Sequence, residues 1–251
     1  NVVLAVIPVY NIGGCLNRNS YSRVNQAGPV SYGFRGNEEN LDLNRDFIKN
    51  DASETKPFEK IFQWLSPDIF IDNHVSDGAD YPYTITLLTT QHNKLGGEIG
   101  EYLHNIFEPL LYKSMKQKGW PMCPYVNAEE DPAKGWEAFY DPPRYSSGYA
   151  ALFQTMGFTV ETHMLKPFAD RVKSTYAFLQ SVIEEAGAHA VEINARRKNS
   201  IIAALKQQTY ATGWKADTAK YDMIDFNGYE AAYKASEVTG MQRLYYDHTK
   251  P

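Results

Sequence analysis

The chain has 251 residues, of which 43% are hydrophobic and 22% are charged, so it can bury a substantial core and does not belong to the disordered class. Its net charge of −5 gives no electrostatic reason to expect nucleic acid or an anionic membrane as a partner. The two cysteines, Cys15 and Cys123, are far apart and lack CxxC spacing, which argues against a disulfide framework or a thiolate metal site and leaves a single bridge between them open. No apolar run approaches the roughly 18–20 residues of a membrane helix.

The first half of the chain has a strand, helix, strand order. Residues 2–9 form a near-continuous apolar run that predicts a buried strand, and a long polar loop over 11–39 follows it. Apolar residues then recur at helical spacing over 53–65. The next apolar run begins at Ile69 and predicts a second buried strand, which ends in a polar cluster at His74. This order predicts a βαβ-like unit of an α/β fold.

The second half continues with alternating strands and helices. Strands are predicted over 83–89 and 157–162, and helices over 95–118 and 168–208. Short segments in which apolar and polar residues alternate, such as 221–226, then indicate the start of a β-rich unit.

Polar side chains stand out at three places, each at the end or flank of a predicted strand: Arg23 with Asn44 and Arg45, His74 with its acidic neighbours, and Glu161 with His163. Taken singly, each signal is weak, because a lone histidine at a strand end is more often structural. A buried glutamate can also be half of an ion pair rather than a catalytic group. Together these residue types suit metal-assisted hydrolysis, in which histidine binds zinc, a carboxylate accepts a proton, and arginines bind an oxyanion or a carboxylate.

Several motifs together resemble those of the zinc metallocarboxypeptidases, and among these the large bacterial members with an extra C-terminal β domain. The motifs are Arg23-Val24-Asn25-Gln26, Tyr32-Gly33-Phe34-Arg35-Gly36-Asn37, Asn40-Leu41-Asp42-Leu43-Asn44-Arg45-Asp46-Phe47, the strand ending at His74, and Val160-Glu161-Thr162-His163. The resemblance covers roughly residues 1–208 in a consistent order. It implies a three-layer α/β/α fold with a mostly parallel or mixed central sheet. The catalytic domain is then expected over 1–210, and the start of a β-rich C-terminal domain over 211–251.

The resemblance also implies a role for each group. His74 corresponds to the third ligand of Zn²⁺, and Glu161 to the general base that activates water and then protonates the leaving amine. Arg23 matches the arginine that polarises the scissile carbonyl, while Asn44 and Arg45 match the pair that binds the terminal carboxylate of the substrate.

The family further has a mobile tyrosine upstream of the base that closes over the substrate. Tyr145 and Tyr149 are both candidates for it, and the sequence does not choose between them.

The sequence departs from the family pattern at the zinc ligands. The first two ligands of the family come from a His-x-x-Glu motif, and no histidine precedes His74 here. We therefore expect either a segment of a longer protein that lacks this motif, with the early strands of the sheet missing, or a natural pseudoenzyme. In both cases the polypeptide alone is expected to be inactive, without a firmly bound zinc.

Two further functions compete with a carboxypeptidase. One is a peptide- or glycan-binding module that uses the arginine cleft without catalysis, and the other is a zinc deacylase or amidohydrolase on the same fold. Retention of both Asn44 and Arg45 favours a peptide-like substrate with a free C-terminal carboxylate as the partner. The resemblance alone implies a periplasmic or extracellular location.

Overall fold

The computed structural model describes residues 2–128 and 130–251, which form an α/β domain and a small separate hairpin. The main sheet has the order β1-β4-β2-β3. Its strands are β1 (Ile69–Ser76), β2 (Ile85–Thr89), β3 (Cys123–Pro124) and β4 (Met156–His163). β1 pairs in parallel with β4, and β4 pairs antiparallel with β2, so the sheet is mixed. The α/β prediction is confirmed.

Helices cover both faces of this sheet. They are α1 (Ile12–Leu16), α2 (Thr55–Leu65), α3 (His92–Leu95), α4 (Gly97–Tyr102), α5 (Glu108–Gln117), α6 (Ser146–Ala151) and α7 (Phe168–Lys206), with a π-helical segment at Leu103–Phe107 and short 3-10 turns at Leu43–Arg45 and Pro132–Lys134. The largest core cluster packs α4, α5 and α7 against one face, where β4 contributes Phe158 and Val160. A smaller aromatic cluster packs α2 and α6 against Phe70 on the other face.

The helix predicted over 95–118 is interrupted. The π-helical segment at Leu103–Phe107 separates α4 from α5, and Pro109 lies in the first turn of α5. A proline has no N–H to donate to the preceding turn, and a local change in hydrogen bonding accommodates that loss.

The prediction of a buried strand over 2–9 is wrong. These residues adopt no strand, and Val3 and Leu4 are 92% and 64% exposed. In the described residues no strand pairs with the edge of β1 that faces away from β4. An apolar run becomes a buried strand only when a ladder and a covering layer are present, and here neither is.

The C-terminal part contains a two-stranded antiparallel hairpin, β5 (Glu230–Ala235) and β6 (Gln242–Asp247). The segment 221–226 is not a strand, contrary to the prediction. Its Tyr221 and Met223 are 83% and 89% exposed, and no strand in 2–128 or 130–251 pairs with it. Both cysteines are free thiols. Within the described ranges, no helix is both long and apolar enough to span a bilayer.

Candidate active site

The register of the sheet places the polar residues of neighbouring strands on one face. His74 of β1 lies opposite Glu161 of β4, and Asp72 lies opposite Thr159. Side chains alternate along a strand, so these four residues share the face that Phe70 begins. The opposite face carries the apolar residues of the main core. Because side chains alternate along each strand, the polar site residues lie on one face of the sheet and the apolar core residues on the other.

A cavity of about 310 Å³ opens above this polar face. Among its lining residues are six of the seven predicted site residues, namely Arg23, Asn44, Arg45, His74, Tyr145 and Glu161. These residues come from three loops and two strands that are far apart in the sequence. The structure thus brings together groups that the motifs only suggested.

His74 is held between two carboxylates. Its Nε2 lies 2.8 Å from Oδ2 of Asp72, and its Nδ1 lies 3.7 Å from Oε1 of Glu161. Burial disfavours the charged imidazolium, but the charge and hydrogen bond of Asp72 outweigh it and raise the pKa of His74 to about 9. The Asp72 contact also fixes the orientation of the ring, so that Nδ1 faces Glu161.

Glu161 has the properties of a group that exchanges protons near neutral pH. Burial raises the pKa of its carboxyl to about 7, and the charge of His74 only partly opposes this shift. Its Oε2 is buried without a hydrogen-bond partner in the described part of the chain. A buried polar atom without a partner is costly, and such atoms occur where a ligand or water completes the site.

Asn44 and Arg45 are presented by the 3-10 turn Leu43–Arg45. The turn begins at Asp42, whose Oδ1 accepts a hydrogen bond from the backbone N–H of Asn44 at 3.0 Å. The guanidinium of Arg45 donates to the carbonyl of Asn44 and lies 4.4 Å from the ring centre of Tyr145. Within the described residues, it has no carboxylate partner, so it can bind the carboxylate of a ligand.

Arg35 also lines the cavity, and sequence reasoning assigned it no role. Its Nε and Nη2 lie 3.0 and 2.9 Å from Oδ2 of Asp42, which holds the guanidinium in place. Its charge acts on both Glu161 and His74, lowering the pKa of each. Arg35 stands in the motif Tyr32–Asn37 that contributed to the resemblance, and that motif was the available signal.

Tyr149 is not part of the cavity lining. Its side chain is 2% exposed and packs among Phe47, Phe62 and Phe153 in the aromatic cluster under α2 and α6. Tyr145, one turn earlier, precedes α6 and faces the cavity instead.

His163 is held by the backbone on both sides of its ring. Its Nδ1 accepts from the N–H of Leu165 at 3.2 Å, and its Nε2 donates to the carbonyl of Ala79 at 2.8 Å. Both ring nitrogens are therefore used, which assigns His163 a structural role.

The donor set of the cavity is smaller than a zinc ion needs. In residues 2–128 and 130–251, no group of three or more histidine, cysteine, aspartate or glutamate side chains is placed to hold a metal ion. A catalytic zinc site takes three protein ligands. The described residues therefore do not fit a complete zinc centre.

No protein-family model matches the sequence, and a search of curated proteins found no match. Solved structures similar to part of this chain include a metallo-carboxypeptidase from Burkholderia cenocepacia (TM-score 0.45, 15% identity) and one from Pseudomonas aeruginosa in complex with (2-guanidinoethylmercapto)succinic acid (TM-score 0.46, 16% identity). The alignments cover 62% and 64% of this chain, which spans 41% and 42% of the length of those structures. Likeness at this level is partial and does not establish a shared activity.

Proposed function

We propose that the cavity binds the C-terminal end of a peptide and serves the hydrolysis of its last peptide bond, as in a metallocarboxypeptidase. The observation that supports this proposal is that an arginine and a glutamate with different chemical properties line the same cavity. Among the residues that the structure describes, the guanidinium of Arg45 has no carboxylate partner, and it lines the same cavity as the buried Glu161 Oε2, which has no hydrogen-bond partner there. The first suits a terminal carboxylate, and the second suits proton transfer.

Each lining residue has a chemical task in this proposal. Arg45 and Asn44 bind the terminal carboxylate, and the half-buried ring of Tyr145 covers it. Glu161, with a pKa of about 7, accepts a proton from the attacking water and returns it to the leaving amine.

The carbonyl-polarising role falls to an arginine, and two line the cavity besides Arg45. The resemblance suggested Arg23, but the electrostatics favour Arg35. The charge of Arg35 acts on both Glu161 and His74, and Asp42 orients its guanidinium through two contacts. A preorganised donor stabilises a developing oxyanion better than a mobile one.

The use of zinc is proposed from the family resemblance alone, with His74 as one of the ligands. The proposal that the protein is exported to the periplasm or the outside of the cell has the same basis. The ion supplies a Lewis acid and an activated water in such enzymes. Since the described residues do not complete a zinc ligand set, no step here is assigned to the metal.

A second candidate is a carboxylate-binding module without catalysis, which the same lack of ligands favours. It predicts peptide binding that is insensitive both to a chelator and to Glu161→Gln. A deacylase or amidohydrolase ranks lower, because both Asn44 and Arg45 line the cavity.

The test compares a blocked tripeptide that has a free C-terminal carboxylate with its C-terminal amide, by isothermal titration calorimetry. We expect the acid to bind about tenfold more tightly, because a charge-assisted pair with Arg45 is lost in the amide. Arg45→Gln should remove this difference. Arg18→Gln is the matched control, since Arg18 lies outside the cavity and contacts Cys15.

Release of the C-terminal residue by the complete gene product supplied with Zn²⁺, followed by mass spectrometry, separates the two candidates. Hydrolysis abolished by Glu161→Gln, with binding retained, supports the peptidase. Binding without any hydrolysis supports the module. Equal affinity for acid and amide would refute both, since neither then recognises a terminal carboxylate.

A further inference from the structure

The cavity holds three guanidinium groups, and the proposed reaction uses two of them. Arg45 binds the terminal carboxylate and Arg35 faces the carbonyl. Arg23 remains, and its side chain has neither a hydrogen bond nor an ion pair within 4 Å in the described part of the chain. A partly buried charge without a partner is unfavourable unless a ligand supplies the opposite charge.

Neighbouring charges make Arg23 a stronger anion site. Burial and the nearby charge of Arg35 lower its pKa, and Asp77 and Asp42 only partly offset this. Arg23 and Arg35 line the same cavity, so an anion placed between them would relieve the repulsion of two like charges. Asn25 and Gln26 line the cavity beside Arg23 and offer amide groups that can share such an anion.

The position of Arg23 follows from the connections of its loop. The N–H of Ala27 donates to the carbonyl of Met164 at 2.9 Å, and the amide of Asn25 contacts the sulfur of Met164 at 3.0 Å. The Arg23 loop is therefore tied to the residue that follows the end of β4.

Arg45 lies toward the other end of the same strand. Its partner Tyr145 precedes Ser146, whose hydroxyl is 3.4 Å from the hydroxyl of Thr159. Glu161 stands between Thr159 of β4 and Met164, the residue after the end of β4. At about 3.3 Å per residue, the two ends of this stretch are roughly 16 Å apart. A peptide that places its terminal carboxylate at Arg45 and its scissile bond at Glu161 therefore extends toward Arg23.

We infer that Arg23, with Gln26, forms a subsite for an acidic side chain located one or two residues before the C-terminal residue of the peptide. The inference deepens the proposed function and rests on it. It assigns the substrate class as peptides that carry a second carboxylate upstream of the scissile bond.

The test measures binding, so it does not depend on turnover. Acetyl-tripeptides with a constant C-terminal alanine carry glutamate, or the isosteric glutamine, at the first or second position. Calorimetry at low salt should show the glutamate peptide binding about three- to tenfold more tightly at one of these positions, with the preference decreasing at high salt. Arg23→Gln should reduce the ratio to about one, whereas Arg18→Gln should leave it unchanged.

Asp77→Asn provides an independent variant. Because Asp77 is a carboxylate that acts on Arg23, its removal should increase the preference for glutamate. A wild-type chain with no preference at either position overturns the inference, and so does a preference that survives Arg23→Gln. The affinity ratio of the free acid to the C-terminal amide, measured on the same peptides, depends on Arg45. If the acid binds more tightly than the amide but glutamate gives no preference, only the subsite is refuted. If acid and amide bind equally, the proposed function is refuted as well.

Discussion

Asp42 is the residue that links the two arginine-bearing segments of the cavity. Its Oδ1 accepts from the N–H of Asn44 and starts the turn that carries Arg45, while its Oδ2 pairs with Arg35. One carboxylate therefore orients both the group assigned to the terminal carboxylate and the group assigned to the oxyanion. The two functions of Asp42 use different oxygens, so they can be separated by mutation.

Asp42→Asn should retain the turn and lose the ion pair, because the asparagine Oδ1 still accepts from Asn44. We expect affinity for a peptide phosphonate, whose charged tetrahedral group resembles the oxyanion, to decrease about three- to tenfold. The acid–amide ratio that reports on Arg45 should remain unchanged. Asp42→Ala, which also loses the turn contact, should lower both quantities. Equal effects of the two variants on both quantities would contradict this division.

At the scale of elements, Arg197 of α7 joins the ends of two helices. Its guanidinium donates to the carbonyl of Ser66 after α2, at 3.0 Å, and to the carbonyls of Phe153 and Gln154 after α6, both at 3.2 Å. Ser66 and Gln154 have positive φ angles of 44° and 55°, which turn these carbonyls out of their helices. Carbonyl groups at a helix end have no hydrogen-bond donor within the helix, and here the side chain of Arg197 donates to the carbonyls of both helix ends.

Arg197→Met should therefore destabilise the fold by about 1–3 kcal/mol, because it leaves three partly buried carbonyls without their donor. Urea denaturation monitored by circular dichroism gives the free energy of unfolding. Arg196→Met is the control, since Arg196 pairs with Glu192 on the surface of the same helix and should contribute less than about 1 kcal/mol. Similar losses in the two variants would show that Arg197 does not join the helix ends.

The two strands that carry His74 and Glu161 could be predicted from the sequence, but their pairing could not. The apolar runs that contain Ile69 and Val160 indicated the strands β1 and β4, and the polar residues at the ends of these strands indicated the site. The pairing of His74 with Glu161 depends on long-range register, which no local pattern specifies.

The same limit explains what the sequence could not decide. Residues 2–9 have the composition of a buried strand, but composition does not report whether a neighbouring strand is present. Tyr145 and Tyr149 are four residues apart, and only the packing of α6 assigns one to the cavity and the other to the core. An arginine such as Arg197 gives no signal, since its partners, mostly carbonyl groups, come from distant segments.

At the scale of the whole molecule, the C-terminal region braces the loop that leaves β1. Phe226 packs on Tyr83 and Trp136, with ring centres 5.6 and 5.2 Å apart. His248 lies 2.6 Å from the carboxylate of Asp80. Asp80 belongs to the same loop as Asp77, which lines the cavity. The C-terminal region thus supports one wall of the candidate site from outside.

Phe226→Ala should loosen this contact at a cost of about 2 kcal/mol, because the ring is partly buried against aromatic neighbours. Hydrogen exchange measured by mass spectrometry should then increase in 77–83 as well as in 226–251, while β4 and α7 keep their protection. Tyr221→Ala is the matched control, since Tyr221 is 83% exposed and its removal should leave exchange unchanged. If Phe226→Ala affects only 226–251, the loop that carries Asp77 is held by its own contacts, and the C-terminal region has no influence on the cavity wall.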